Sequence, residues 1–287
     1  MPLFDKVALF GVGLIGGSLA LDAKRKGLFG HVTASSRHAE TLDKALRKGI
    51  ADRTTLDALE CAKGADLVVL AVPVSAMEEV AKAIAPGLGE KTIITDVGSV
   101  KGQMIRAVER AIPYPSRFVP GHPVAGSERF GPQAAVEGLF EGKRCVLTPT
   151  ETTDRKALRV VQALWEGVGM KVVEMDPVQH DWVLAATSHL PHLVAYAMVE
   201  TVLRARKTAP DVFDYAAGGF HDFTRIAASS PDMWRDIFLM NSESLNELTE
   251  LFMSTLSELK KIIASHDGVE LRKMLESARR AKEEMKK

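Results

Sequence analysis

The chain has 287 residues, 46% hydrophobic and 26% charged, which is a globular profile and excludes disordered and fibrous classes. Thirty-seven basic residues balance thirty-seven acidic ones, so no global field gathers nucleic acid or an anionic membrane, and neither is expected as a partner. Cys61 and Cys145 stand far apart, which supports neither a disulfide framework nor a cysteine zinc site and points to a reducing cytoplasm.

Short apolar runs alternate with helical patterns through the first two thirds of the chain. Strands are expected at 6–10, 31–35, 67–72, 92–96, 117–121, 145–148 and 171–174, with helices at 15–26, 39–48, 75–85 and 155–168 between them. That order is the signature of an α/β chain with a doubly wound parallel sheet and crossover helices. The start of the chain lacks the apolar stretch of a signal peptide, and no later segment holds about 18 uninterrupted apolar residues.

The texture changes at Met175-Asp176-Pro177, where Asp176 suits a helix cap and Pro177 the first helical position. Everything downstream reads as helix, so the expected domains are 1–176, with the sheet, and 177–287, all helical. In the second, Leu245, Leu248, Phe252, Leu256, Leu259 and Ile263 recur at steps of three and four. A bundle core is the favoured reading of this stripe, and a dimer seam is the alternative. The tail from Glu270 onward alternates charges, as a solvated helix face does.

The first expected strand runs straight into Gly11-Val12-Gly13-Leu14-Ile15-Gly16 and then a helix. In that context the first glycine permits the tight turn, the second lets backbone approach a pyrophosphate, and the third allows close helix–strand packing. The loop therefore reads as the dinucleotide fingerprint of a Rossmann-type domain. A carboxylate is expected about 20 residues on, to bind the adenosine ribose, yet the second strand ends in Ser35-Ser36-Arg37. Two hydroxyls and a guanidinium could accept a 2′-phosphate that a carboxylate would repel, so NAD and NADP both stand as cofactors. Val72 and Pro73, ending another strand, are expected to line the cofactor, because proline stops a ladder where a loop must begin.

Asp96-Val97-Gly98-Ser99-Val100-Lys101 and Gly121-His122-Pro123-Val124-Ala125-Gly126-Ser127-Glu128 each follow a strand, where open sheets bind ligands. His122 lies in a loop between glycines and a proline, and imidazole can take a proton from an alcohol as hydride leaves the same carbon. Taken with GVGLIGGS, TSHLPH and GGFHDFTRIAASSPDMW, these strings resemble, in order along nearly the whole chain, the prephenate/arogenate dehydrogenase family of tyrosine biosynthesis.

The resemblance implies a nucleotide-binding domain followed by a helical dimerisation domain, hence a homodimer. It implies oxidative decarboxylation of prephenate to 4-hydroxyphenylpyruvate, or of arogenate to tyrosine, with hydride transfer to NAD or NADP and no metal. His122 then matches the base and Ser99 the active-site serine. Arg225 matches the arginine that grips a substrate carboxylate. His189 and His192 match residues for structure and substrate contact, with His192 on the substrate side. Glu128 and Trp234 match positions near the substrate, and Gly218 a backbone stretch approaching its side chain. Some relatives carry a chorismate mutase or regulatory domain, for which this chain has no room, so a monofunctional enzyme is expected. The rival readings are a 3-hydroxyacid dehydrogenase or imine reductase of the same plan, and a non-catalytic dinucleotide sensor.

Overall fold

The computed structural model describes residues 1–126, 129 and 131–285. In chain order its elements are β1 (Phe4–Phe10), α1 (Leu14–Arg25), β2 (Phe29–Ser35), α2 (Ala39–Arg47), β3 (Arg53–Thr55), α3 (Ala58–Ala62), β4 (Leu67–Leu70), α4 (Met77–Ile84), β5 (Ile93–Asp96), α5 (Gly102–Ala111), β6 (Phe118–Val119) and β7 (Gly121–Val124). There follow β8 (Arg144–Leu147), α6 (Arg155–Gly167), β9 (Lys171–Glu174), α7 (Pro177–Leu184), α8 (Leu190–Ala205), α9 (Gly218–Thr224), α10 (Pro231–Met240), α11 (Ser242–Ala264) and α12 (Gly268–Glu284).

Six parallel strands form one sheet in the order β3-β2-β1-β4-β5-β6. The centre is apolar on both faces, as Leu67–Leu70 and Ile93–Asp96 are buried throughout, because helices cover both sides of a parallel sheet. On one side Leu19, Ala23, Leu158, Val161 and Trp165 pack from α1 and α6. On the other, Met77, Ile84, Met104 and Val108 pack from α4 and α5. Strand order reverses between β1 and β4, which makes their carboxyl ends the switch point where such sheets bind nucleotides.

The expected strand at 117–121 is two strands in two sheets. Pro120 cannot donate to a ladder, so β6 stops at Val119 and the chain enters a three-stranded sheet, β7-β8-β9. There β7 runs antiparallel to β8, and β8 parallel to β9. The doubly wound parallel sheet is as expected; the small second sheet is an addition to it, and His122 lies in strand β7, paired with Val146, rather than in a loop. The strand expected at 67–72 ends at Leu70, so Val72 and Pro73 sit beyond the ladder, ahead of a short turn at Val74–Ala76.

After β9 every element is helical. Asp176 caps α7 through the backbone amides of Val178 and Gln179, with Pro177 in its first turn. Before Pro191 the backbone widens into a π turn, Ala185–His189, which accommodates a proline ring that would clash in a regular helix.

By contacts the chain separates into two compact units, 1–241 and 242–287. The change from sheet to helix and the division into units thus fall at different places. In the second unit Leu245 and Leu248 are buried, whereas Leu251, Leu256 and Ile263 are more than half exposed. Of the stripe itself, Phe252, Leu256 and Ile263 are exposed and Leu259 is half-buried, so beyond Leu248 the single chain leaves most of it uncovered, unlike the expected bundle core. Among the described residues no helix is long and apolar enough to cross a membrane.

Candidate active site

The glycine loop has the shape its residues require. Gly11 has φ +95°, and a Cβ there would meet the Ala71 carbonyl oxygen at 2.3 Å, so no other residue fits. At Gly16 a Cβ would lie 2.2 Å from the Gly11 carbonyl oxygen and 2.7 Å from Ala71 Cβ, which shows how closely α1 approaches the strands. At Gly13, by contrast, a Cβ would meet nothing within 4 Å. The α1 N-terminus, Leu14 and Ile15 in its first turn, has no side-chain cap and no acidic residue there, so its first amides are not claimed by a capping side chain. That combination fits the pyrophosphate of a dinucleotide. Ser35 ends β2 beside it, and its carbonyl accepts from Gly11 N at 3.3 Å. Ser36 is half-buried and Arg37 exposed.

Across the switch point the strand ends are clamped by a buried ion pair. Lys101 Nζ donates to Asp96 Oδ2 at 2.6 Å and to the Gly121 carbonyl at 2.5 Å, and both charged side chains are 0% exposed. Asp96 also accepts from Gly98 N (2.7 Å) and Gly121 N (3.1 Å). A carboxylate with this many donors is satisfied without water, and it ties the loop bearing Ser99 to the strand bearing His122. Ser99 itself is half-buried, and its hydroxyl makes no hydrogen bond among the described residues.

His122 is 8% exposed, its ring nearly enclosed. Its Nδ1 lies 2.8 Å from His180 Nε2, and His180 Nδ1 lies 2.9 Å from Asp181 Oδ1. Asp181 in turn accepts from the backbone amides of Lys101 (2.8 Å) and Gly102 (2.7 Å). Burial, with His180 and Lys101 nearby, pushes His122 well below the ordinary imidazole value of 6.5. Burial lowers His180 as well, against the opposing pull of Asp181.

The two histidines of the TSHLPH segment differ. His189 is fully buried, and Asn241 Nδ2 donates to its Nδ1 at 3.0 Å and to the Asp181 carbonyl at 2.8 Å, so the proton of the neutral ring sits on Nε2. Burial pushes it down to about 4. His192 is half-buried; its Nδ1–H donates to the Ser188 carbonyl at 2.8 Å, and the ring stacks on Trp234 with centroids 3.7 Å apart. Burial lowers its pKa, and the nearby positive Arg225 lowers it further.

Arg225 opens a short turn, Arg225–Ala228, directly after α9, and Gly218 opens α9 itself on the exposed side. Trp234 is buried on α10, and Ser75, two residues past Pro73, hydrogen-bonds Asp236 of the same helix. Glu128 lies outside the described residues. The fold thus brings His122, Ser99 and the glycine loop to the sheet's carboxyl end, and groups His189, His192, Trp234 and Arg225. His180, Asp181 and Asn241 are not marked by the sequence, and Asp96 and Lys101 stand in a motif without a role; a histidine–aspartate pair just behind a capped helix start is the available signal.

Residues 19–174 match the prephenate dehydrogenase nucleotide-binding domain, and 176–277 match the prephenate dehydrogenase dimerization domain. The chain belongs to the prephenate dehydrogenase family. Within that family it is 38% identical to the cyclohexadienyl dehydrogenase of Zymomonas mobilis over 269 residues, 93% of this chain and 92% of that protein. The crystal structure of Aquifex aeolicus prephenate dehydrogenase with hydroxyphenyl propionate and NAD+ superposes with a TM-score of 0.93 at 40% identity, covering 98% of each chain. Synechocystis arogenate dehydrogenase superposes with a TM-score of 0.79 at 27% identity, covering 98% of this chain and 99% of that one. Prephenate dehydrogenase relatives thus span the Rossmann-type sheet and the helical part together.

Proposed function

We propose that this enzyme oxidatively decarboxylates prephenate or arogenate, with NAD or NADP bound along the glycine loop. The observation that carries the reading is a neutral, enclosed imidazole, His122, at the switch point whose glycine loop fits a dinucleotide. The nicotinamide, when bound, supplies the hydride acceptor. His122 Nε2 takes the ring hydroxyl proton as the hydrogen on the same carbon departs with its electron pair, so the carbinol becomes a ketone. The ring carboxylate then leaves as CO2, and its electron pair restores the aromatic ring. Burial serves this step, because a base kept neutral at working pH is ready to accept.

Ser99 is assigned to hold the reacting hydroxyl, and Arg225 with His192 to hold a substrate carboxylate, the guanidinium fork being suited to that anion. Trp234 is assigned to wall the pocket, Gly218 to approach the substrate side chain and Glu128, by the family match alone, to a role near the substrate, while His189 is structural through Asn241. Ser35, Ser36 and Arg37 carry no carboxylate toward the ribose, which favours tolerance of a 2′-phosphate. The bare stripe of α11, in a stretch matching a dimerization domain, supports a homodimer. Both cysteines are buried and unpaired, as suits a reducing cytoplasm.

The test is a matrix of initial rates, prephenate or arogenate against NAD or NADP, followed by the absorbance of reduced nicotinamide. Turnover in any combination supports the reading, and the preferred one assigns substrate and cofactor. Silence in all four, from protein that binds dinucleotide, refutes it; reduction of a small keto acid instead would favour the hydroxyacid dehydrogenase reading.

A further inference from the structure

The hydrogen bonds behind His122 fix more than its position. Asp181 carries only acceptors, so the proton between Asp181 Oδ1 and His180 Nδ1, 2.9 Å apart, belongs to the histidine. A neutral His180 then has its lone pair on Nε2, which faces His122 Nδ1 at 2.8 Å and requires the proton there. What remains on His122 is a lone pair at Nε2, an atom with no hydrogen bond among the described residues and not among the closed-in unpaired polar atoms. The tautomer that can accept a proton is thus dictated by a carboxylate two side chains away.

The anchoring of Asp181 matters as much. Among the described residues, the buried cation beside it, Lys101, sends its Nζ to Asp96 and offers Asp181 a backbone amide alone. With the Gly102 amide this orients the carboxylate while leaving its negative charge to act through His180.

We propose that Asp181 and His180 are positioning residues for proton transfer, holding His122 with its lone pair on Nε2 and stabilising the positive charge that its ring gains when it takes the substrate proton. The inference rests on the reading of His122 as the proton acceptor. It generalises a known arrangement, in which a base is oriented by a third group, to a chain with two imidazoles. The titratable and charged groups around His122 are His180 and Asp181 from α7, Asp96 and Lys101 from the β5 end and the loop after it, and His189 from the π turn. The Asp96–Lys101 pair is internally balanced, so among these groups Asp181 is the negative charge that faces the imidazoles.

The test compares His180→Leu and His180→Gln with the parent enzyme, by steady-state kinetics across pH and by nitrogen-15 spectra of the imidazoles, with His122 assigned by difference from His122→Asn. Leucine removes the acceptor for His122 Nδ1–H, whereas the glutamine carbonyl can replace it. His180→Leu should lower kcat by about 100-fold or more while changing KM by less than about threefold. His180→Gln should recover at least roughly a tenth of the parent rate. In the spectra, parent His122 should be protonated at Nδ1 and bare at Nε2, and His180→Leu should mix the two tautomers.

Turnover by His180→Leu within about threefold of the parent would overturn the proposal, as would a slowed enzyme that glutamine does not rescue and whose His122 tautomer is unchanged. Mixed tautomers in the parent would overturn it whatever the substrate. A parent enzyme silent toward both substrates, yet with Nδ1–H fixed by His180, would fault the assigned reaction and uphold the positioning.

Discussion

Replacing Lys101 with Met tests the clamp on which the site is built. The substitution keeps the apolar stem and volume but leaves the Asp96 carboxylate buried without its cation, and the Gly121 carbonyl without its donor. Breaking one side of a buried ion pair costs about 3–5 kcal/mol. For a unit of this size, at roughly 2–4 °C per kcal/mol, the melting transition should fall by about 6–20 °C. Differential scanning calorimetry of Lys101→Met, Asp96→Asn and the double variant measures this, and the double variant should regain part of the loss because it no longer buries a lone charge. A transition within about 3 °C of the parent for Lys101→Met would show that Asp96 is satisfied by backbone amides alone, and would refute the clamp.

Gly16→Ala places a Cβ 2.2 Å from the Gly11 carbonyl oxygen; the strain of roughly 1–3 kcal/mol should appear as weaker dinucleotide binding in titration calorimetry. His189 is held neutral, down at about 4 against an ordinary 6.5, so the unfolded chain binds the extra proton between those values. The stability contributed by the buried neutral ring should therefore be full above pH 6.5 and decline as pH falls toward 4, with His122 and His180 adding in the same direction; denaturant midpoints that rise on acidification over this window would contradict that sign. Leu256→Glu, on the bare face of α11, should convert a dimer to monomers in sedimentation velocity, and an unchanged mass would remove that face from the interface.

The parts of the molecule written locally were legible in the sequence. The glycine loop announces itself because its three constraints, a positive φ at Gly11 and two close approaches, fall within six residues of one strand end. The Asp176–Pro177 cap is likewise contained in its own tetrapeptide. The break at Pro120 was visible as a residue, yet its consequence was not, since whether a chain continues in one sheet or starts another depends on which strand offers the next free edge. His122 was singled out for its neighbours in sequence, whereas its environment comes from His180, 58 residues away, which reaches it only because α7 packs against that strand end. Lys101 stood in a quoted motif without a role, because a lysine in a loop is ordinarily solvated and only the closing of Gly121 over it makes it a buried cation. The α11 stripe has the same pattern whether it meets its own chain or another, and periodicity alone does not distinguish those partners.

In the proposed reaction, His122 couples proton removal to hydride loss and decarboxylation in one substrate. The most direct measurement follows reduced nicotinamide and released CO2 together, with the preferred substrate and cofactor, in the parent and in His122→Asn. The parent should form the two in equal amounts, and His122→Asn should bind dinucleotide normally while both rates fall together by about 100- to 10,000-fold. Reduced nicotinamide without CO2, or an unchanged rate in His122→Asn, would contradict that coupling.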